Sequence, residues 1–218
     1  MLPPYPRAVI FDWDNTLVDS WPAIMEAINH TRATFGLEVW NLEQIKQNCT
    51  RAARESFPEW FGDKWKEAYD VYYKGFDEIR KRRDIGILPG SVELLEFLLE
   101  HKIPAMVVSN KRGDYLRIEA DKLKWKNHFV AIVGAQDAAR DKPAREHVDH
   151  ALNHTGIQAD ATVWFIGDSE TDVQCARNAG CTPILIGDEA LGKKLRVEHV
   201  FPDCHGVQRL LNRLQKST

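Results

Sequence analysis

The chain has 218 residues, of which 44% are hydrophobic and 28% charged, and its formal net charge is -3 at pH 7. This length allows a sizeable hydrophobic core and suits one domain, or one domain that carries an insertion. A slightly acidic chain without a long basic run argues against a nucleic-acid partner. No apolar stretch approaches the length of a membrane span, so no membrane association is predicted.

The cysteines indicate a reducing compartment. Cys49, Cys175, Cys181 and Cys204 show no CxxC spacing, and a chain of this length does not need disulfides to fold. The first residues, MLPPYPRAVI, contain three prolines and run directly into a predicted strand, which is unlike a secretory signal. We therefore expect reduced thiols and a cytoplasmic protein.

Short apolar runs typical of strands buried on both faces recur along the chain. They are AVIF at 8–11, AMVVS at 105–109, VAIV at 130–133, TVWFI at 162–166 and PILI at 183–186. Helical patterns separate most of these runs. The alternation predicts an α/β fold, with a Rossmann-like three-layer core around a mainly parallel sheet.

The segment 21–86 differs in character, because it shows helical periodicity, many tryptophans and no good strand. It predicts a small all-helical cap domain, inserted after the first strand into a core domain formed by 1–20 and 87–218. The aromatic side chains of the insert are interpreted as its packing core, with stacking on a substrate ring as the alternative.

Capping residues indicate where two helices begin, the first helix of the insert and the first helix after it. Ser20 or Asp19 is the expected N-cap of the first helix of the insert, which should stop at Gly36. After the insert, the sequence LPGSVELLEFLLEHK predicts a turn followed by an amphipathic helix capped by Ser91.

Polar residues follow four of the predicted strands. They are Asp12 and Asp14, then Ser109 and Asn110, then Lys142, and finally Asp168 and Asp172. Because ligands of parallel sheets bind beyond the carboxyl ends of the strands, these side chains should converge. The carboxylates suit Mg²⁺, and the lysine, the hydroxyl and the helix-start amides expected after Ser109 and Asp168 suit a phosphate. The set predicts phosphoryl transfer.

The motifs DWDNT, VVSNK, the lysine of DKP and IGDSETD, in this order, resemble the four motifs of the haloacid dehalogenase superfamily. The helical insert is similar to the cap of its phosphoglycolate phosphatase-like branch. The resemblance implies a Mg²⁺-dependent phosphatase that hydrolyses a small phosphorylated metabolite, phosphoglycolate-like or a sugar phosphate, through an aspartyl-phosphate. A monomer or a homodimer is expected.

The resemblance also implies roles for individual residues. Asp12 would be the nucleophile, while Asp14 would protonate the leaving alcohol and then deprotonate the attacking water. Mg²⁺ would be held by Asp12, by the backbone carbonyl of Asp14 and by Asp168, with Asp172 acting directly or through water. The transferring group would be bound by Ser109, the Asn110 amide and Lys142. Lys142 should also pair with Asp12.

Three positions depart from the usual pattern of the superfamily. Asn15 stands where glycine is commoner, but asparagine tolerates a positive φ. The helix after Lys142 lacks a second proline at its start. Trp13 is bulkier than the usual aliphatic residue, and its side chain should point away from the carboxylates and pack.

The stretch QNCTRAARESF supplies candidates for substrate specificity, because caps of this branch present a loop in about this place toward the phosphate site. Arg51 and Arg54 are the residues expected to bind an anionic group of the substrate. The alternative is that both are solvated helix arginines.

Three other functions are alternatives: a zinc site, a phosphomutase and a signalling module. His147, His150 and His154 lie at helical spacing, but the apolar stripe of their helix should turn them toward its flank and solvent rather than toward zinc. A phosphomutase of the same fold is the enzymatic alternative. A signalling module that accepts phosphate on an aspartate is the alternative outside enzymes.

Overall fold

A computed structural model describes residues 2–49, 51–153 and 155–216. The chain forms two compact units. The first, here called the core unit, comprises Met1–Val18 and Ile87–Thr218, and the second, the helical unit, comprises Asp19–Gly86. That the helical unit acts as a cap stays a prediction.

Eight strands are present in the described residues. They are β1 Ala8–Phe11, β2 Val18–Asp19, β3 Gly86–Ile87, β4 Ala105–Arg112, β5 Ala131–Ala135, β6 Val163–Gly167, β7 Thr182–Ile186 and β8 Val200–Phe201. Six of them form one sheet in the order β5-β4-β1-β6-β7-β8, and all of its strand pairs are parallel. The predicted α/β fold with a mainly parallel sheet is confirmed.

The helices of the core unit follow the strands. They are α5 Ser91–Glu100, α6 Gly113–Lys122, α7 Arg145–Leu152, α8 Glu170–Ala179, α9 Glu189–Leu195 and α10 Cys204–Gln215. One buried cluster joins the central strands to two of these helices, with Ile10 and Phe165 packed near Val148 and Ala176. Because β1 is buried along its whole length, its sequence reads as a continuous apolar run.

The helical unit contains α1 Trp21–Thr34, α2 Leu42–Asn48, α3 Ala53–Phe61 and α4 Trp65–Arg82. Phe57 is fully buried at its centre, with ring centroids of Phe61, Tyr69 and Tyr72 between 5.1 and 5.7 Å away. The aromatic side chains of this unit therefore form its core, as expected from the size of the segment. In the described part of the chain, no helix has the length and apolar character needed to cross a membrane.

Two predicted helix starts differ from the structure, at Ser91 and after Ser109. Gly90, at φ 79°, is the N-cap of α5, and the hydroxyl of Ser91 instead donates to the carbonyl of Leu17. Ser20 is the N-cap of α1, as predicted, although its side chain makes no capping hydrogen bond. The helix expected directly after Ser109 begins only at Gly113, because β4 continues to Arg112.

Candidate active site

The neighbouring strands β1 and β6 bring two of the predicted aspartates to the same edge of the sheet. Phe11 pairs with Ile166 in the parallel register, and the backbone N–H of Asp12 donates to the Ile166 carbonyl at 2.8 Å. Asp168 follows the last residue of β6. Both carboxylates therefore lie beyond the carboxyl ends of two adjacent strands, where ligands of parallel sheets bind.

Asp172 joins these two aspartates from the first turn of α8. Carboxylate oxygens of Asp12, Asp168 and Asp172 lie within 4.8 Å of one another. In the described part of the chain this is the one cluster of carboxylate, imidazole or thiol groups found able to hold a metal ion. Three hard oxygen donors suit a divalent cation such as Mg²⁺.

Gly167 provides the space that the Asp172 side chain occupies. A Cβ at Gly167 would lie 2.4 Å from both Cβ and Cγ of Asp172. Oδ2 of Asp172 accepts hydrogen bonds from the backbone N–H and the hydroxyl of Ser169, the N-cap of α8. Asp172 therefore stabilises the helix N-terminus and also contributes to the carboxylate cluster.

Lys142 reaches into the cluster as its counter-charge. Its Nζ donates to Oδ1 of Asp12 at 2.6 Å and to Oδ1 of Asp172 at 2.7 Å, and the side chain is buried. Burial acts to lower the pKa of Lys142, but the charges of Asp12 and Asp172 outweigh it and raise the pKa above its usual value. Lys142 is therefore a cation held between Asp12 and Asp172.

Burial changes the protonation of the carboxylates. It raises the pKa of Asp12 to about 7; Lys142 opposes this rise, while Asp172 and Asp14 add to it. The pKa of Asp168 is also raised well above its usual value, by burial and by the charges of Asp172 and Asp12. The cluster therefore binds protons readily, and a divalent cation would favour its ionised form.

Ser109 and Asn110 lie within β4, next to β1. Ser109 is buried, and its hydroxyl accepts a hydrogen bond from the backbone N–H of Lys111. The side chain of Asn110 binds the backbone of Lys142: its Oδ1 accepts from the N–H at 3.0 Å and its Nδ2 donates to the carbonyl at 3.1 Å. Asn110 therefore fixes the loop that carries Lys142.

His147 also holds this loop, and its predicted orientation toward solvent is wrong. Its ring is fully buried, with Nδ1 accepting from the N–H of Lys142 at 3.0 Å and Nε2 3.0 Å from the carbonyl of Gly134. Because a carbonyl only accepts, Nε2 carries the proton. Burial lowers the pKa of His147. His150 is exposed, and His154 lies outside the described residues.

Asp14 lies beside the carboxylate cluster and contacts a separate cation. Its Oδ1 accepts from Nζ of Lys111 at 2.6 Å, and the same Nζ donates to Oε2 of Glu119 at 2.7 Å. The indole N–H of Trp13 also donates to this oxygen, at 2.8 Å. Burial acts to lower the pKa of Lys111, but Asp14 and Glu119 outweigh it and raise the pKa. No sequence motif had indicated a role for Lys111 or Glu119.

The predicted packing of Trp13 is seen in the structure. Its side chain is fully buried and meets the ring of Trp125 edge-on at a centroid distance of 5.8 Å. Asn15 has a φ of 62°, which agrees with the tolerance expected of asparagine in this turn.

Two glycines bring backbone segments together beside Lys111. A Cβ at Gly134, in β5, would lie 2.4 Å from Cα of Gly113 and 2.7 Å from the carbonyl oxygen of Lys111. Real Cβ contacts with backbone are not this short, so a larger residue at 134 would push the end of β4 away.

The two predicted specificity arginines belong to the helical unit. Arg51 precedes α3 and is exposed, and its guanidinium forms an ion pair with Glu59 at 2.6 Å. Arg54 lies within α3 and is partly buried. The remaining predicted site residues all belong to the core unit: Asp12, Asp14, Ser109, Asn110, Lys142, Asp168 and Asp172.

Comparison with known proteins decides the family. The family model described as haloacid dehalogenase-like hydrolase matches residues 9–186. The chain belongs to this family. Among curated relatives of this hydrolase, a phosphoglycolate phosphatase from Chromobacterium violaceum is 30% identical over 190 residues, covering 83% of this chain and 85% of the relative. Another phosphoglycolate phosphatase, from Aquifex aeolicus, is 26% identical and covers 90% of both chains.

Solved structures show the same fold. A haloacid dehalogenase-superfamily hydrolase from Ehrlichia chaffeensis is 30% identical, with a TM-score of 0.69 over 97% of this hydrolase and 98% of that chain. A haloacid dehalogenase-like family protein from Streptococcus pneumoniae has a TM-score of 0.81 at 23% identity, covering 93% and 96% of the two chains.

The predicted family resemblance and the predicted class, a phosphoric monoester hydrolase, are confirmed by these relatives. The phosphomutase alternative is not favoured.

Proposed function

We propose that this haloacid dehalogenase-like hydrolase uses Mg²⁺ to hydrolyse a small carboxylated phosphate monoester, of which phosphoglycolate is the leading candidate. The observation that carries the proposal is the meeting of Asp12, Asp168 and Asp172 within 4.8 Å, with Lys142 donating to two of them. The name of the relative from Chromobacterium violaceum supports the choice of substrate.

In the first step, Asp12 attacks phosphorus. A carboxylate oxygen of Asp12 forms a bond to phosphorus while the bond from phosphorus to the alcohol oxygen breaks, and Asp14 gives a proton to the departing alkoxide. The products are a free alcohol and a phosphoryl group on Asp12. The position of Asp12 at the end of β1, beside Asp14 in the same loop, supports this division of roles.

In the second step, Asp14 takes a proton from water as the water oxygen bonds to phosphorus. The bond between phosphorus and the Asp12 oxygen breaks, and its electron pair returns to the Asp12 carboxylate. Phosphate leaves and both aspartates regain their starting states. Splitting the hydrolysis in this way replaces one difficult step by two easier ones.

The proposed metal ligands are Asp12, Asp168, Asp172 and the backbone carbonyl of Asp14. Bound Mg²⁺ supplies shielding of the negative charge on the phosphoryl oxygens. Asp172 is proposed to bind the ion directly or through water. Both of its carboxylate oxygens already accept hydrogen bonds, one from Lys142 and one from Ser169.

The proposed phosphate-binding groups are the hydroxyl of Ser109, the Asn110 amide and the Lys142 ammonium. A cation and neutral donors of this kind stabilise the extra charge on a transferring phosphoryl group. Asn110 and His147 support the role of Lys142, because both hold its backbone N–H at 3.0 Å. The ammonium is thus carried by a fixed loop.

The helical unit is proposed to be the cap, with Arg51 or Arg54 binding the carboxylate of the substrate. Arginine suits this task because its guanidinium matches a carboxylate with two parallel hydrogen bonds. We also propose that the enzyme acts in the cytoplasm as a monomer or homodimer. The thiols of Cys49, Cys175, Cys181 and Cys204 are free, which suits a reducing compartment.

A matched pair of substrates tests the proposal. Phosphoglycolate and ethyl phosphate have the same chain length and differ in the carboxylate, so phosphate release from each should be compared with Mg²⁺ and with EDTA. We expect a kcat/KM at least about tenfold higher for phosphoglycolate, since a buried charge-assisted pair contributes more than about 1.4 kcal/mol. EDTA should abolish both activities. Equal kcat/KM values would contradict the substrate, and release that persists in EDTA would contradict the metal.

A further inference from the structure

A closed ring of contacts ties the loop of the two aspartates to the interior. Starting from Asp14, the ring passes through Nζ of Lys111 at 2.6 Å, Oε2 of Glu119 at 2.7 Å and the indole N–H of Trp13 at 2.8 Å. Trp13 and Asp14 are adjacent in the chain, so the peptide bond between them closes the ring. Lys111, Glu119 and Trp13 are here called the brace.

The brace is buried, which distinguishes it from a surface ion pair. Glu119 and Trp13 are buried, and the Lys111 side chain is only 8% exposed. A carboxylate of this kind loses several kcal/mol of hydration and is stable in the interior only when its partners replace the lost water. Glu119 receives two donors on one oxygen. If Lys111 moved away, the buried carboxylate of Glu119 would lose one of these two donors. The contact with Glu119 therefore holds Nζ of Lys111 in place.

Trp13 fixes the other end of the brace. Its ring is fully buried and lies edge-on to the rings of Trp125 and Phe129, at centroid distances of 5.8 and 6.4 Å. An indole packed in this way cannot rotate without opening a cavity. The unusual size of Trp13 for this motif is thereby explained, since a smaller aliphatic residue has no N–H to donate to Glu119.

We propose that Lys111, held in place by Glu119 and Trp13, is a positioning residue that keeps the carboxylate of Asp14 beside the reacting phosphorus through both steps. This inference rests on the proposed function, because it concerns the residue proposed to transfer protons. Lys111 itself touches neither the substrate nor phosphorus in this role.

With a good leaving group, the first step no longer needs Asp14, whereas the second step still does. p-Nitrophenolate leaves without needing a proton, so the phosphoryl group reaches Asp12 even when Asp14 is misplaced. Water still needs Asp14 to take its proton before it can displace the Asp12 oxygen from phosphorus. A misplaced Asp14 therefore slows the second step and lets the phosphorylated enzyme accumulate.

The test uses Lys111→Met and p-nitrophenyl phosphate with Mg²⁺ in rapid-mixing kinetics. We expect steady-state turnover to fall about 10- to 100-fold, part of the usual contribution of proton transfer. The initial burst of nitrophenolate should rise toward one per enzyme, and phosphate on Asp12 should be recoverable after acid quenching. Lys111→Arg should restore part of the turnover, because it keeps the cation.

The size of the nitrophenolate burst distinguishes a positioning role of Lys111 from a merely structural one. A folded Lys111→Met variant that lost burst and turnover in equal proportion would overturn the proposal, because a displaced Asp14 should slow the second step alone. Turnover within twofold of the wild type would overturn it too. Lys126→Met is the matched control, since Lys126 is exposed and should change neither quantity.

A milder variant decides the matter if Lys111→Met fails to fold. Trp13→Phe keeps a buried aromatic ring and removes the N–H that Glu119 accepts. A larger burst with slower turnover would support the brace, and wild-type kinetics would overturn it. Failure of the proposed phosphatase activity, on which this inference rests, looks different, since the wild-type enzyme would then release no phosphate from p-nitrophenyl phosphate.

Discussion

The two units of the molecule differ in their ion pairs: among the described residues, the buried pairs lie in the core unit, while those of the helical unit reach solvent. In the core unit, Lys142 and Lys111 are buried ammonium groups that each contact two carboxylates. In the helical unit, the interior is aromatic around Phe57, and ion pairs such as that of Lys81 with Glu78 are exposed to solvent. Buried ions reduce stability unless they are well paired, whereas aromatic packing adds to it.

This contrast shows where the fold is built for chemistry rather than for stability alone. Replacing buried ion pairs by apolar residues often leaves stability unchanged or increases it. The two clusters around Lys142 and Lys111 are therefore explained better by function than by stability. The exposed pairs of the helical unit contribute little, because solvent screens them.

The largest expected effect is that of Asp12→Asn on turnover. An amide is not a nucleophile toward phosphorus, so phosphate release should fall by more than about 10³-fold. The fold should persist, because Lys142 still contacts Asp172 and one like charge is removed from the cluster. Phosphate release and thermal unfolding measure the two effects. Turnover within tenfold of the wild type would contradict the role of Asp12.

The next effect is the loss of stability in Lys142→Met. Removing this cation leaves Asp12 and Asp172 without their shared donor, and breaking a buried pair costs about 3–5 kcal/mol. Urea unfolding in EDTA measures the loss. Lys81→Met is the matched control, since the Lys81 side chain is 70% exposed and its removal should leave the unfolding midpoint unchanged. Equal effects of the two variants would erase the contrast between the units.

The pH dependence of the metal-free protein gives a smaller effect. The pKa of Asp12 is about 7 in the folded protein against a usual value of 3.8, so the folded state binds more protons in that interval. Stability from this group is therefore present below about pH 4 and is lost as the pH rises to about 7. Urea midpoints at about pH 5 and about pH 7.5 in EDTA should show the fall.

Two changes should flatten this pH dependence. Mg²⁺ favours the ionised carboxylates, so the fall in the urea midpoint should be smaller when it replaces EDTA. Asp12→Asn should also reduce the slope, because the titrating group is gone. An identical pH dependence in Asp12→Asn and the wild type in EDTA would contradict the raised pKa of Asp12, because His147, whose lowered pKa acts in the opposite direction, is present in both proteins.

The smallest expected effect belongs to the arginines of the helical unit. Arg51→Ala or Arg54→Ala should lower kcat/KM for phosphoglycolate about tenfold and leave that for ethyl phosphate unchanged, since only the first has a carboxylate to bind. Stability should not change for Arg51, whose pair with Glu59 is exposed. If neither variant affects kcat/KM for phosphoglycolate, the arginines are solvated helix residues.

The sequence predicted the parts of the fold that depend on local pattern. The buried strands β1, β4, β5, β6 and β7 read as apolar runs because both faces of the sheet are covered. The two-residue strand β8 was not predicted, since two residues carry no periodicity. The cap at Ser91 was wrong because a tertiary contact, to the Leu17 carbonyl, competes with the helix for its hydroxyl.

Site residues that directly follow predicted strands could be predicted from the sequence. Residues whose contacts join distant segments of the chain could not. Asp12, Asp168 and Asp172 meet as the parallel sheet requires. Glu119 is one of several acidic residues in a helical pattern, and only the fold shows that it is buried against Lys111 and Trp13. His147 was misplaced for the same reason, because its partners Lys142 and Gly134 lie on a loop and a strand outside its own helix.

The absence of side chains at Gly134 and Gly167 restricts how this enzyme can be diversified. A methyl group at 134 would strike the backbone of Gly113 and Lys111, and one at 167 would strike the side chain of Asp172. Libraries built to alter specificity should keep both positions invariant. A substitution at either position would lower activity by displacing Lys111 or Asp172, and a screen would wrongly count it as a loss of substrate recognition.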